Sequence, residues 1–184
     1  MLNVAFILKI EKDVLGPGER VGIWFQGCSL NCKNCIAPEL KPRKIVKLFK
    51  PEDLVKEIKK YNLFEITLSG GEPFEQDRES LLNFLKLLKN NNFGIWVYSG
   101  YYIEELISKG FEEHLRYIDV LVDGRYEDEK NFNQPLVGSS NQRIIFLSNK
   151  YKDSDLPRKR KFQIVLSKKR KFFFIGIPPK GIIK

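Results

Sequence analysis

At 184 residues, with 42% hydrophobic and 12% aromatic content, the chain is long enough for one folded domain with a sizeable core. No apolar run approaches the roughly 20 residues of a membrane span, so a transmembrane helix is excluded. The formal charge of +9 is uneven: residues 150–184 carry twelve Lys/Arg against two Asp, net +10, while the remainder holds 20 basic and 21 acidic residues.

The N-terminal Met1–Leu8 leads into charged Lys9, Glu11 and Lys12 and reads as a first strand. It lacks the long apolar region and small-residue cleavage site of a signal peptide, and a cytoplasmic location is expected. Arg20–Phe25 reads as a strand, and directly after it come Cys28, Cys32 and Cys35, the only cysteines. An odd set cannot close on itself as a disulfide framework, and clustered thiols suit a reducing compartment. Cys-x3-Cys-x2-Cys gathers three thiolates, as an iron–sulfur cluster requires, yet is one ligand short of the usual four. A [4Fe–4S] cluster so held keeps one iron free for a small molecule. The competing reading is a structural zinc site, but zinc wants four Cys/His ligands and the only histidine, His114, lies on a distant polar helical segment.

Beyond the cysteines, Pro51–Tyr61 reads as a helix, Phe64–Ser69 as a strand and Ser80–Lys89 as an amphipathic helix. Phe93–Tyr98 is a strand, Tyr102–Lys109 a short helix stopped by Gly110, and Tyr117–Val122 an almost wholly apolar strand. Strands alternating with helices imply a parallel α/β sheet. The cysteine loop, Gly70-Gly71, Ser99-Gly100 and Asp123-Gly124 all follow strands, so they should meet at the carboxyl ends, where such sheets place ligands. Leu68-Ser-Gly-Gly-Glu-Pro73 exposes backbone to a ligand, and Glu72 can accept from an ammonium, although Gly-Gly also makes ordinary turns. After the strand Arg143–Leu147, Phe162–Leu166 and Phe172–Ile175 flank the basic Ser167–Lys171 and predict a basic hairpin.

The cysteine triplet followed by Gly-Gly-Glu-Pro resembles the radical S-adenosylmethionine (SAM) superfamily. Gly16–Arg20, Phe25-Gln-Gly-Cys28, Trp96–Tyr101, Leu121–Arg125 and Gly138-Ser-Ser-Asn-Gln142 narrow the resemblance to the activating proteins of anaerobic ribonucleotide reductase, over about residues 10–146. At residues 136–137 this chain has Leu-Val where that pattern has Trp-Arg.

The resemblance implies an open, incomplete (β/α) barrel with one face bare for a partner's glycine loop. Residues 1–149 would form the radical SAM domain and 150–184 a basic extension packed on it. It implies a [4Fe–4S] cluster on Cys28, Cys32 and Cys35, with SAM on its free iron. Reductive cleavage of SAM would give a 5′-deoxyadenosyl radical that installs a glycyl radical on a partner such as anaerobic ribonucleotide reductase. Gly70, Gly71 and Glu72 are expected at the SAM amine, Ser99 at its ribose, and Asp123 with Arg125 as an oppositely charged pair near SAM, Arg125 suited to a carboxylate; no side chain beyond the cluster ligands is expected to be catalytic. Asn141 and Gln142 are expected to offer amide hydrogen bonds at the same rim. The electron donor would be a flavodoxin or ferredoxin; neither membrane nor nucleic acid is expected as a partner. The alternatives are a radical SAM enzyme acting on a small molecule, as in carboxy-deazaguanine synthases, or a non-enzymatic iron–sulfur module whose basic hairpin binds nucleic acid.

Overall fold

The structure is a computed structural model that describes residues 1–166 and 172–179, the side chains of residues 172 and 173 excepted. The basic turn Ser167–Lys171 and the side chains of Phe172 and Phe173 therefore lie outside the described residues. In chain order the elements are β1 (Leu2–Ile10), β2 (Arg20–Phe25), β3 (Leu48–Phe49), α1 (Pro51–Lys59), β4 (Glu65–Gly70), α2 (Arg78–Asn90) and β5 (Gly94–Tyr98). Then follow α3 (Ile103–Ser108), α4 (Glu112–Leu115), β6 (Val120–Asp123), β7 (Arg143–Phe146), β8 (Phe162–Leu166) and β9 (Phe172–Gly176).

Seven strands form one sheet in the order β3-β1-β2-β4-β5-β6-β7, and β8-β9 make a separate hairpin. The centre, β2-β4-β5-β6, is parallel, as the alternating pattern predicts. The flanks are not: β1 and β7 run antiparallel to their neighbours, so the sheet is mixed.

Alternation along the strands sends odd and even positions to opposite faces. On one face Val21, Ile23, Phe25, Ile66, Leu68 and Leu121 pack against α1 and α2 through Leu54, Ile58, Phe84 and Leu88, with α3 adding Leu106. The helices thus cover a single face. α1 starts with Pro51 in its first turn, where a missing N–H costs nothing, and carries Glu52 and Asp53 there with Lys56 and Lys59 in its last turn. His114 is buried within this layer, its Nε2 3.1 Å from the Arg78 carbonyl and its ring edge-on to Phe111; it is not the polar surface position its neighbours suggest.

The opposite face is covered by the C-terminal segment. Trp24, Ile10, Val14 and Leu15 pack with Ile175 and Val165 of the hairpin. Trp96, Val120 and Val122 pack with Leu136, Val137 and Tyr151. At the amino ends of the parallel strands, fully buried Arg20 donates to Thr67 Oγ1 (2.8 Å) and to the Ile66 carbonyl (3.0 Å). It lies against the rings of both Trp96 and Tyr151, which meet edge to face, with Glu65 3.5 Å away. A guanidinium survives there because its donors are spent on fixed acceptors. This plug closes the end of the sheet opposite the predicted ligand rim.

Candidate functional site

Each parallel strand ends in one of the segments singled out in the sequence. After β2 the chain enters the cysteine loop, anchored by Gly27 N–H to Leu40 O (2.8 Å) and Cys28 N–H to Lys41 O (3.0 Å). Buried Gln26 fastens its far side, donating from Nε2 to the Pro42 and Leu40 carbonyls at 2.6 and 3.2 Å. The turn after β4 is stitched onto this loop: Gly71 N–H reaches Phe25 O and Glu72 N–H reaches Gly27 O, both at 2.8 Å. That approach explains the glycine pair. A Cβ at Gly71 would sit 2.2 Å from Gly27 O, and Gly70, at φ +104°, would bring one within 2.6 Å of the Phe25 backbone.

Cys28, Cys32 and Cys35 are unpaired and half-buried, and line one cavity together with Gly70, Gly71 and Glu72. Ser99, Gly100, Gly124 and Gln142 share its wall, and Trp24, Leu30 and Ile36 make it apolar. Among the described residues no three Cys, His, Asp or Glu side chains converge on a single-ion geometry. A cluster asks for something else, one thiolate for each of several irons around a shared cavity. The donor set and the glycine-lined backbone beside it fit a three-cysteine cluster with a small molecule at its open corner. Burial pushes the Cys28 thiol up to about 12 and raises that of Cys35, so these sulfurs are protonated thiols at neutral pH until a metal displaces the proton.

Glu72 is almost wholly buried. Its carboxylate accepts from Ser99 Oγ (2.9 Å), Gly100 N–H (2.8 Å) and Phe74 N–H (3.1 Å). Burial raises its pKa from 4.5 to about 7 despite these bonds. Ser99, expected at a ribose, has its hydroxyl on Glu72, although it too lines the cavity.

The rest of the rim is arranged differently from expectation. Asp123 and Arg125 do not pair. Asp123 is fully buried, accepts the Ile103 N–H (2.8 Å) at the start of α3, and bonds Arg143 at 2.5 and 2.9 Å. Arg125 makes a two-pronged pair with Glu105, both contacts 2.8 Å, which draws the Glu105 carboxyl down to about 2. Gly124 between them, at φ +101°, breaks the extended run, and the two side chains turn to different partners of opposite charge, Asp123 to Arg143 and Arg125 to Glu105. Gln142 reaches the cavity, but its amide is engaged by Gly138 N–H (2.7 Å) and Gly124 O (2.8 Å). Asn141 donates to Arg125 O (2.8 Å), and its buried Oδ1 has no partner among the described residues. Both amides brace the loop after β6.

Two features of the site escaped the sequence reading. Glu75 accepts from the Ser29 N–H and hydroxyl (2.9 and 2.5 Å), from Tyr101 OH (3.0 Å) and from Arg43 (3.0 Å), tying the cysteine loop to the turns after β4 and β5. Its only sequence signal is a position three residues after Glu72. The second is the hairpin: Phe174, Gly176 and Ile177 form part of the cavity wall, so the face expected to be bare is partly covered.

Residues 14–145 match the family described as a 4Fe-4S single cluster domain. The anaerobic ribonucleoside-triphosphate reductase-activating protein of Enterobacteria phage T4 is 31% identical over 71% of this chain and 86% of its own length. Its counterpart in Haemophilus influenzae is 34% identical over 72% of this chain and 91% of that protein. The pyruvate formate-lyase-activating enzyme of Clostridium pasteurianum is 30% identical over 64% of this chain and half of that enzyme. Among solved structures, QueE from Escherichia coli aligns with 54% of this chain and 52% of that one, at 20% identity and a TM-score of 0.45. No helix among the described residues is long and apolar enough to cross a membrane.

Proposed function

The chain belongs to the family of anaerobic ribonucleoside-triphosphate reductase-activating proteins, and we propose that it installs a glycyl radical on an anaerobic ribonucleoside-triphosphate reductase. It is a radical SAM enzyme whose cofactors are a [4Fe–4S] cluster and SAM. The observation that carries the proposal is one cavity lined by Cys28, Cys32 and Cys35 together with the Gly70-Gly71-Glu72 turn.

When bound, the cluster supplies one electron for cleavage of SAM to methionine and a 5′-deoxyadenosyl radical, which takes a hydrogen atom from the partner's glycine. The protein's contribution is placement. Cys28, Cys32 and Cys35 would hold three irons, and Glu75 fixes their loop against the two turns that face them. Glu72 would accept from the SAM ammonium: a carboxylate offers about four lone-pair sites, and three donors occupy it here. The exposed backbone at Gly70 and Gly71 would border the methionine portion. Asp123 and Arg125 act at a distance, through the start of α3 and through Glu105, and not as a pair on SAM. The sequential parallel order β2-β4-β5-β6 with helices on one face supports an open (β/α) barrel. The electron would come from a flavodoxin or ferredoxin, in the cytoplasm.

The test is anaerobic: cluster-reconstituted protein, SAM, a strong reductant and the reductase of the same organism. A carbon-centred radical EPR signal on the reductase, lost when its radical-bearing glycine is replaced by alanine, is expected. 5′-Deoxyadenosine release with no radical on the reductase would overturn the proposal.

A further inference from the structure

The β8–β9 hairpin has two unlike faces. Val165 and Ile175 point inward and complete the cluster around Trp24 and Val14, and Gln163 locks β8 to the end of β1 by accepting from Glu11 N–H (3.1 Å) and donating to Lys9 O (3.3 Å). Alternation then forces Ile164 and Leu166 outward, where they are 53% and 59% exposed. Phe174 stands directly across from Ile164 in the ladder, 37% exposed, and belongs both to this outer face and to the cavity wall shared with the cysteines. Among the described residues β9 pairs only with β8, so its other edge carries no ladder partner.

A run of large apolar side chains on the outside of a two-stranded hairpin is a liability unless something covers it. Its position says what does. Phe174 joins this outer face to the wall of the cysteine cavity, so a macromolecule that brings a reacting atom into that cavity has this face beside its path. The segment carrying this ledge, residues 150–184, is also the one with the net +10 charge.

We infer that the outer face of β8–β9 is the docking ledge for the glycine-bearing segment of the partner enzyme, a segment with apolar side chains and flanking acidic residues, guided over Phe174 into the cavity. This rests on the activation reading above. Apolar contact supplies the affinity and the basic surroundings the rate of encounter. The inner face of the hairpin, already bonded to β1 and packed on Trp24, holds the ledge rigid.

The experiment compares cluster-reconstituted wild type with Ile164→Glu/Leu166→Glu and, as a control on the opposite rim, Phe64→Glu, which replaces a 58%-exposed side chain next to the start of β4. Iron content, 5′-deoxyadenosine release without partner, and Kd for the same organism's anaerobic reductase are measured at low and high salt. The double variant should keep its iron and its uncoupled SAM cleavage while its Kd weakens by about thirtyfold or more, the size of one interface hot spot. The control should bind as wild type does, and wild-type association should slow as salt rises. An unchanged Kd for the double variant, or equal weakening by Phe64→Glu, overturns the ledge. A wild-type chain that binds the reductase yet leaves no radical on it overturns the activation reading instead; the Kd comparison still decides the ledge.

Discussion

Replacing Glu72 by glutamine tests whether a charge is buried at the centre of the site. Among the described residues the carboxyl has no ion-pair partner within hydrogen-bond reach, only Ser99, Gly100 and Phe74, and burial lifts its pKa from 4.5 to about 7. Between those two values the folded chain holds a proton there that the unfolded chain has released. Stability from this group therefore falls as pH rises from about 4.5 and levels off above about 7, by about 3 kcal/mol in all. The glutamine variant has no such slope. Its amide must oppose one of the two backbone N–H donors, a pH-independent cost of about 1–3 kcal/mol. Urea unfolding of the cluster-free chain, under anaerobic reducing conditions from pH 5 to pH 8, should show the variant gaining on wild type by about 2.5 kcal/mol across that range. Parallel curves for the two proteins would refute the reasoning, because they would mean that Glu72 is ionised at no cost or exchanges with water.

Anaerobic reconstitution should give about four irons per chain. Cys32→Ala should abolish uptake, whereas His114→Ala should cost stability through lost packing and leave the iron count unchanged. Glu75→Ala frees Ser29, Tyr101 and Arg43 at once; with each bond to a charged acceptor worth about 1.5–3 kcal/mol, iron loss to a chelator should be about tenfold faster or more. Arg143→Ala leaves Asp123 buried without its cation and should destabilise the fold by about 2 kcal/mol, below the range for a fully buried pair because Arg143 is 44% exposed. Arg125→Ala, which breaks a pair open to solvent, should cost under about 1 kcal/mol in the same denaturation measurement.

That the cysteine loop and the Gly70-Gly71 turn meet at one rim was legible in the linear chain because the signals are local. Three cysteines within eight residues, and glycines at strand ends where backbones approach to hydrogen-bonding distance, are properties of short segments. The parallel centre of the sheet was legible for the same reason, since period and length distinguish its strands from its helices. What remained hidden depends on partners far apart in sequence. That Asp123 takes Arg143 and not Arg125, that Glu75 binds Ser29 across 46 residues, and that Arg20 meets Tyr151 across 131 follow only once the strands are ordered and the loops stacked. Antiparallel β1 and β7 carry the same alternation as parallel strands, so direction was decided by the connections and not by composition. The placement of the C-terminal hairpin likewise depends on distant partners. Its sequence announces charge and β-propensity, but which face of β9 turns toward the cysteine cavity is fixed by Val165 and Ile175 finding Trp24, a contact between opposite ends of the chain.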